Sequence, residues 1–144
     1  MNDLSQKFLM REMRYGDRAY ICRTILFSQI ELDSYTRKIN KDSFLTGHNK
    51  LINRMLDHAK CLVLVDPQEQ GLIYAFIVFD HMGDFDIIHF AYVRKDFRGL
   101  GLLKNLVSIV KTKPNVAISH INENIKPAKL KSYWTKAIFD PFLL

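Results

Sequence analysis

The stretch Arg98-Gly99-Leu100-Gly101-Leu102-Leu103 joins an apolar run, Ile87 to Val93, to a segment with apolar residues at helical spacing. Those residues are Leu102, Leu103, Leu106, Val107 and Val110, and they predict a helix. A turn of this kind ends a strand and opens a helix whose first N–H groups have no intrahelical acceptor. Those groups and the positive end of the helix dipole make a seat for a phosphate, and Arg98 adds a full charge beside it. Other phosphate loops fit less well. The dinucleotide fingerprint would need a third glycine at Lys104, and the P-loop's Gly-Lys-Ser/Thr is absent. A glycine turn that simply connects two elements is the plainer alternative.

The elements needed to position this loop are legible on both sides of it. Lys7 to Arg14 reads as a first strand, and Asp17 as the N-cap of a helix carrying Tyr20, Ile21, Ile25, Leu26 and Ile30. The span 31–43 is polar, either a loop or an exposed continuation. A second helix is expected near Thr46 to His58, with Leu51, Ile52, Met55 and Leu56 on one face. The period then changes to that of strands: Cys61 to Val65, Leu72 to Phe79 and Phe85 to Val93, separated by turns at Asp66 to Gly71 and Asp80 to Asp84. Two successive hairpins give an antiparallel meander. After the helix beyond Gly101, Val116 to His120 is a strand expected to run parallel to the preceding one, because a helix crosses between them. A last helix is expected from Pro127 to Lys136, carrying Leu130, Tyr133, Trp134 and Ala137, and a final strand from Phe139 to Leu144. The reading is one domain over residues 1–144, an α/β (α+β) chain with a mixed, mainly antiparallel central sheet and helices on both faces.

Composition bounds the function. At 144 residues and 48% hydrophobic, with ten Phe and six Tyr, the chain is long and apolar enough for one real core. No apolar run approaches the roughly 20 residues needed to cross a bilayer, and residues 1–6 lack a secretory layout. Cys22 and Cys61 stand alone inside apolar elements, which reads as free buried thiols in a reducing, cytoplasmic compartment. The formal charge is +6 and lies towards the C-terminal half, where Asp96 and Glu123 are the only acids between Arg94 and Lys136. Such a face is either solvated or meets a polyanion, a phosphorylated cofactor or a nucleic acid. The five histidines lack metal-ligand spacing, so no metal site is expected.

Over roughly its whole length the chain resembles the GCN5-related N-acetyltransferases, the GNAT superfamily. The resemblance rests on the order of elements and on Arg98-Gly99-Leu100-Gly101-Leu102-Leu103, which matches the family's Gln/Arg-x-x-Gly-x-Gly/Ala at Arg98 and Gly101. The approach Ala91-Tyr92-Val93-Arg94-Lys95-Asp96-Phe97 and the turn glycine Gly71 are also similar. Leu103 departs, standing where Gly or Ala is usual. The resemblance implies acetyl-CoA as cofactor, its pyrophosphate on the backbone amides of Arg98 to Leu103 and its pantetheine along Ala91, Tyr92 and Val93. It implies a bulge in the fourth strand that aims an N–H at the thioester, and a splay between the fourth and fifth strands. Asn122 or Asn124 would touch the cofactor.

Moving an acetyl group to an amine needs a polarised carbonyl, a neutral nucleophile and a proton for the departing thiolate. The resemblance places Tyr133 near the family's thiolate-protonating tyrosine. Asp86, His89 and His120 are the candidate bases, with His89 preferred for its near-neutral imidazole. The implied reaction is direct N-acetyl transfer. The acceptor is a small-molecule amine, a protein amine or an aminoacyl group, in a pocket shaped by Asp17 to His58 and Asn122 to Pro127. A non-catalytic module of the same fold and a tRNA-associated protein using the basic half stay open as alternatives, as does a homodimer.

Overall fold

The computed structural model describes residues 7–32, 41–120, 125, 127–141 and 143. In chain order the elements are β1 (Leu9–Glu12), α1 (Arg18–Leu32), α2 (Lys41–His58), β2 (Lys60–Val65), β3 (Ile73–Met82), β4 (Phe85–Val93), α3 (Leu102–Val110), β5 (Asn115–Ile118), α4 (Pro127–Leu130) and β6 (Lys136–Phe139). The six strands form one sheet in the order β1-β2-β3-β4-β5-β6. The first three pairings are antiparallel and the last two parallel. This is the mixed, mainly antiparallel sheet that the sequence predicts.

The sheet is covered on both faces. Ile21, Cys22 and Ile25 of α1 and Ile52, Met55 and Leu56 of α2 pack on one side, against Val63, Phe76, Val78 and Phe90. Leu102, Leu106, Val107 and Val110 of α3 pack on the other, with Trp134, against Ala75, Ile77, Ile88, Ala91 and Val93. β3 is buried on both sides from Ala75 to Phe79, as its continuous apolar run requires.

One residue sets how β4 divides itself between these cores. Val78 pairs with Phe90 but Phe79 pairs with Ile88, so His89 is an extra residue on β4, a β-bulge. In an unbroken strand Ile88 and Phe90 would share a face. The bulge instead leaves Ile88 on the α3 side and turns Phe90 to the α1–α2 side, with Ala91 and Val93 back on the α3 side.

Several boundaries differ from the sequence reading, each with a physical reason. The turn Asp80 to Asp84 is shorter than expected: β3 and β4 stay paired to Met82 and Phe85, and Gly83 supplies the positive φ of 58° for a two-residue turn. Asp17 is not an N-cap. It lies in a short 3-10 turn, and its carboxylate accepts the Arg14 N–H at 2.7 Å and Arg11 Nη1 at 2.6 Å. α2 begins at Lys41, earlier than Thr46. The last helix stops at Leu130, and β6 starts at Lys136 rather than at Phe139. Thr135 N–H donates to Pro114 O at 2.8 Å and the Trp134 indole N–H to Asp86 at 2.8 Å, which pulls this segment into the sheet before a longer helix can form.

Candidate functional site

The loop after β4 has the geometry its glycines allow. Lys95 to Phe97 form a 3-10 turn and Arg98 is extended. Gly99 and Gly101 then sit at φ 82° and 79°, a region that costs a side-chain-bearing residue about 1–2 kcal/mol. Gly101 is the N-cap of α3 and gives that cap no side chain. The helix opens with the bond from Asn105 N–H to Gly101 O at 3.0 Å, so the amides of 102–104 lie ahead of it at the helix mouth. A cleft of about 430 Å³ opens there, lined by Val93, Phe97, Arg98, Gly101, Leu103 and the cations Lys104 and Lys129, among others. Three cations, no acid in the first turn and a helix N-terminus make this cleft electropositive.

Arg98 does more than line the cleft. Its Nε donates to Val93 O at 3.0 Å, and its guanidinium lies 5.9 Å from the Tyr92 ring centroid. It thus ties the loop back onto the strand. Leu103 is half-buried: it packs against the α3-side core and also forms part of the cleft wall. Leu102 is buried in that core. Leu100 is exposed at the tip of the turn and is not among the residues lining the cleft.

Among the described residues, the pairing of β4 with β5 stops short of this loop. Their parallel pairing runs from Phe85–Asn115 to Ile88–Ile118, and Ser119 N–H still donates to Ile88 O at 3.1 Å. β4 then continues to Val93, paired only to β3 within the described ladder. Arg94 N–H points to β3, bonding Tyr74 O at 2.9 Å. Backbone alternation therefore turns the groups of Val93 and Ala91 away from β3, and Val93 O accepts from Arg98 Nε. The residues that would stand opposite them after His120, 121–124, lie outside the described residues, and with them the implied splay. The irregularity in β4 lies at His89, however, not within Ala91 to Val93 where the resemblance placed it.

His89 and His120 meet where the described pairing of β4 with β5 ends. His89 Nδ1 lies 2.8 Å from Ser119 Oγ, and Ser119 Oγ lies 2.9 Å from His120 Nδ1. His89 is 5% exposed and Ser119 2%. Burial and the nearby His120 ring push the His89 imidazole down to about 4, with Asp80 opposing. Burial also lowers His120; a hydrogen bond to the His89 backbone opposes this, and His48 adds to it. Both rings are therefore neutral at pH 7, able to take up a proton. His89 faces a cavity of about 670 Å³ under α2, whose wall includes Arg54, Met55, His58, Asp80 and Ile87. His120 faces a separate space of about 40 Å³, lined by Ile25, His48, Leu51, Ile52, Met55 and Phe90.

The other candidates are placed as follows. Asp86 is fully buried and accepts from His81 Nδ1, Thr112 N–H and Oγ1, Lys113 N–H and Trp134 Nε1 at 2.6–3.0 Å. Burial would raise its pKa, but those donors win and hold it below the usual range. It is a structural carboxylate with no lone pair to spare for a substrate proton. Tyr133 lies in the turn after α4, half-buried against the α3-side core, its ring 6.0 Å from that of Trp134. It stands on the same face as the loop, but it is not among the residues lining the cleft. Asn122 and Asn124 lie outside the described residues. Burial raises both thiols, Cys61 to about 12, so neither is a nucleophile. Among the described residues, no group of three or more His, Cys, Asp or Glu could hold a metal ion, and no helix is long and apolar enough to cross a membrane.

The sequence reading missed Ser119, whose role depends on the register of β4 against β5. It also missed Lys129, which was one charge among many until α4 brought it to the cleft.

No family model matches the sequence, and no curated protein matches it. Solved structures do. A protein from Pyrococcus furiosus named as an acetyl transferase superposes with a TM-score of 0.68 at 12% identity, over 88% of this chain and 90% of that one. A protein from Clostridium acetobutylicum named as an acetyltransferase and solved with acetyl-CoA gives 0.58 at 13%, over 88% and 89%. One from Clostridium difficile 630, also named as an acetyltransferase, gives 0.57 at 19%, over 88% of each. At these identities the likeness shows the fold, and the fold is that of the GNAT acetyltransferases.

Proposed function

We propose that the chain is an acetyl-CoA-dependent N-acetyltransferase that moves the acetyl group directly to an amine, with His89 as proton acceptor. The observation that carries the reading is the loop after β4, where a helix N-terminus and the cations Arg98, Lys104 and Lys129 meet at one cleft, on the strand that also carries the buried His89.

The residues present fit acetyl-CoA. The amides of 102–104 and the charges of Arg98, Lys104 and Lys129 would hold its phosphates. The pantetheine would run along β4 from Ala91 through Tyr92 to Val93. Leu103 packs on the core, which supports a loop whose amide still faces the cleft. Bound acetyl-CoA supplies an activated acyl carbon and a thiolate leaving group. His89 takes the proton that the amine nitrogen sheds as its new bond forms, and Tyr133, on the cofactor's side of the sheet, is the candidate donor to the thiolate. Two buried thiols fit a reducing compartment, and the cytoplasm is the proposed location.

An imidazole near 4 is too weak a base to deprotonate a free alkylammonium group. The acceptor that fits is an amine already partly neutral near pH 8, such as an α-amino group, rather than a lysine side chain near 10.4.

Calorimetric titration with acetyl-CoA, followed by CoA thiol release across an amine panel, tests this. Binding in the micromolar to submillimolar range is expected, with α-amines preferred. No binding at about 1 mM overturns the cofactor, and binding without thiol release overturns the reaction.

A further inference from the structure

We infer that the base is not His89 alone but a three-residue proton relay, in which the Ser119 hydroxyl passes the proton from the His89 imidazole to that of His120. The inference rests on the acetyltransferase reading and extends it to two residues that reading does not need.

The geometry is specific. A single buried hydroxyl lies 2.8 Å from one Nδ1 and 2.9 Å from the other. A hydroxyl has one proton to donate. So of the two Nδ1 atoms one must accept from Ser119 while the other, protonated, donates to it. The chain of bonds has a direction, and it reverses when one proton moves through it.

Cavity size sets the working direction. The space before His89, about 670 Å³, is large enough for an acceptor, whereas that before His120, about 40 Å³, has room for little more than a water. The acceptor end is therefore His89 and the exit end is His120. The groups facing these rings are Asp80 of β3 and Arg54 and His58 of α2 around the His89 cavity, with His81 of β3, and His48 of α2 before His120.

The step balances. The amine nitrogen bonds the acetyl carbon as the carbon–sulfur bond breaks, the electron pair leaving on sulfur. The nitrogen's proton goes to His89 Nε2. His89 Nδ1–H then passes its proton to Ser119 Oγ, and the Ser119 proton passes to His120 Nδ1. His120, which is partly exposed, gives its Nε2 proton to solvent. The thiolate takes a proton from Tyr133 or solvent. No oxidant or further reactant is needed. Spreading the charge over two rings also offsets the burial that makes each one alone reluctant to hold a proton.

Steady-state kinetics and imidazole nitrogen NMR of the full chain test the relay. Ser119→Ala removes the bridge without adding bulk, and His120→Gln removes the exit while leaving His89 in place. Each is expected to lower kcat by about 100-fold with KM within twofold, and to abolish a solvent isotope effect present in the wild type. Ser119→Thr, which keeps the hydroxyl, restores most of the rate. In nitrogen-15 spectra of the wild type, one Nδ1 is protonated and the other is bare, and Ser119→Ala shifts both rings. If Ser119→Ala keeps kcat within threefold, or if both Nδ1 atoms are bare in the wild type, the relay is overturned and the acetyltransferase reading stands. A wild type that binds acetyl-CoA but acetylates no amine overturns that reading instead.

Discussion

The indole N–H of Trp134 donates to the Asp86 carboxylate at 2.8 Å, across 48 residues of chain. That carboxylate, at the start of β4, also holds Thr112 and Lys113 ahead of β5 and His81 at the end of β3. One ionised group thus fastens the β3–β4 hairpin, the α3–β5 turn and the approach to β6. Trp134→Phe keeps most of the packing and removes one donor from a buried anion. It should cost about 1–3 kcal/mol in denaturant unfolding. Asp86→Ala strands several donors at once and should cost more, about 3–5 kcal/mol. Equal losses from the two variants would show that the carboxylate is not the common anchor.

The α3 loop allows stability and binding to be separated at one position. Gly101→Ala meets no atom within 4 Å, so its cost is the positive φ alone, about 1–2 kcal/mol. Gly101→Glu bears the same strain but puts a negative charge at a helix N-terminus, which returns about 0.3–1 kcal/mol. The glutamate variant should therefore unfold no more easily than the alanine variant, yet lose acetyl-CoA binding, which the alanine variant should only weaken. Calorimetric titration beside thermal melts separates the two. Unimpaired binding by Gly101→Glu would move the phosphates elsewhere.

The depressed imidazoles make stability depend on pH. His89 titrates near 4 in the folded chain, against an unfolded value near 6.5. Between those values the unfolded state binds more protons, so stability falls as pH drops from about 6.5 to about 4. For His89 alone the loss is at most roughly 3 kcal/mol, and His120 adds in the same direction. Asp86, held low, adds its own loss only below about pH 4. Urea midpoints measured from pH 7 to 4 should fall across that window, and His89→Gln should flatten the curve. A wild-type profile flat from 6.5 to 4.5 would mean that the rings are solvated.

How far the sequence could be read depended on the range of the interactions. The strands Cys61 to Val65 and Phe85 to Val93 and the helix after Gly101 were visible because apolar spacing and glycines are local signals. The end of the chain was not. Leu130, Tyr133 and Trp134 keep helical spacing, but Trp134 answers to Asp86, and the segment goes to the sheet instead. At the site, the loop was legible residue by residue. His89 and His120 were each visible as lone histidines, and their link was not, because only the register of β4 against β5 puts Ser119 between them.

The extra residue at position 89 has a consequence for what β4 can tolerate. Replacing His89 changes a side chain, whereas deleting it would set Phe90 directly after Ile88. Plain alternation would then keep Phe90 and Tyr92 towards α1 and α2, and Ala91 and Val93 towards α3. The two cores therefore do not need the extra residue. What it adds is an imidazole beside Ser119 and a local bend in the strand. A strand that kept the residue but lost the bulge would instead send Phe90 into the layer of small side chains under α3.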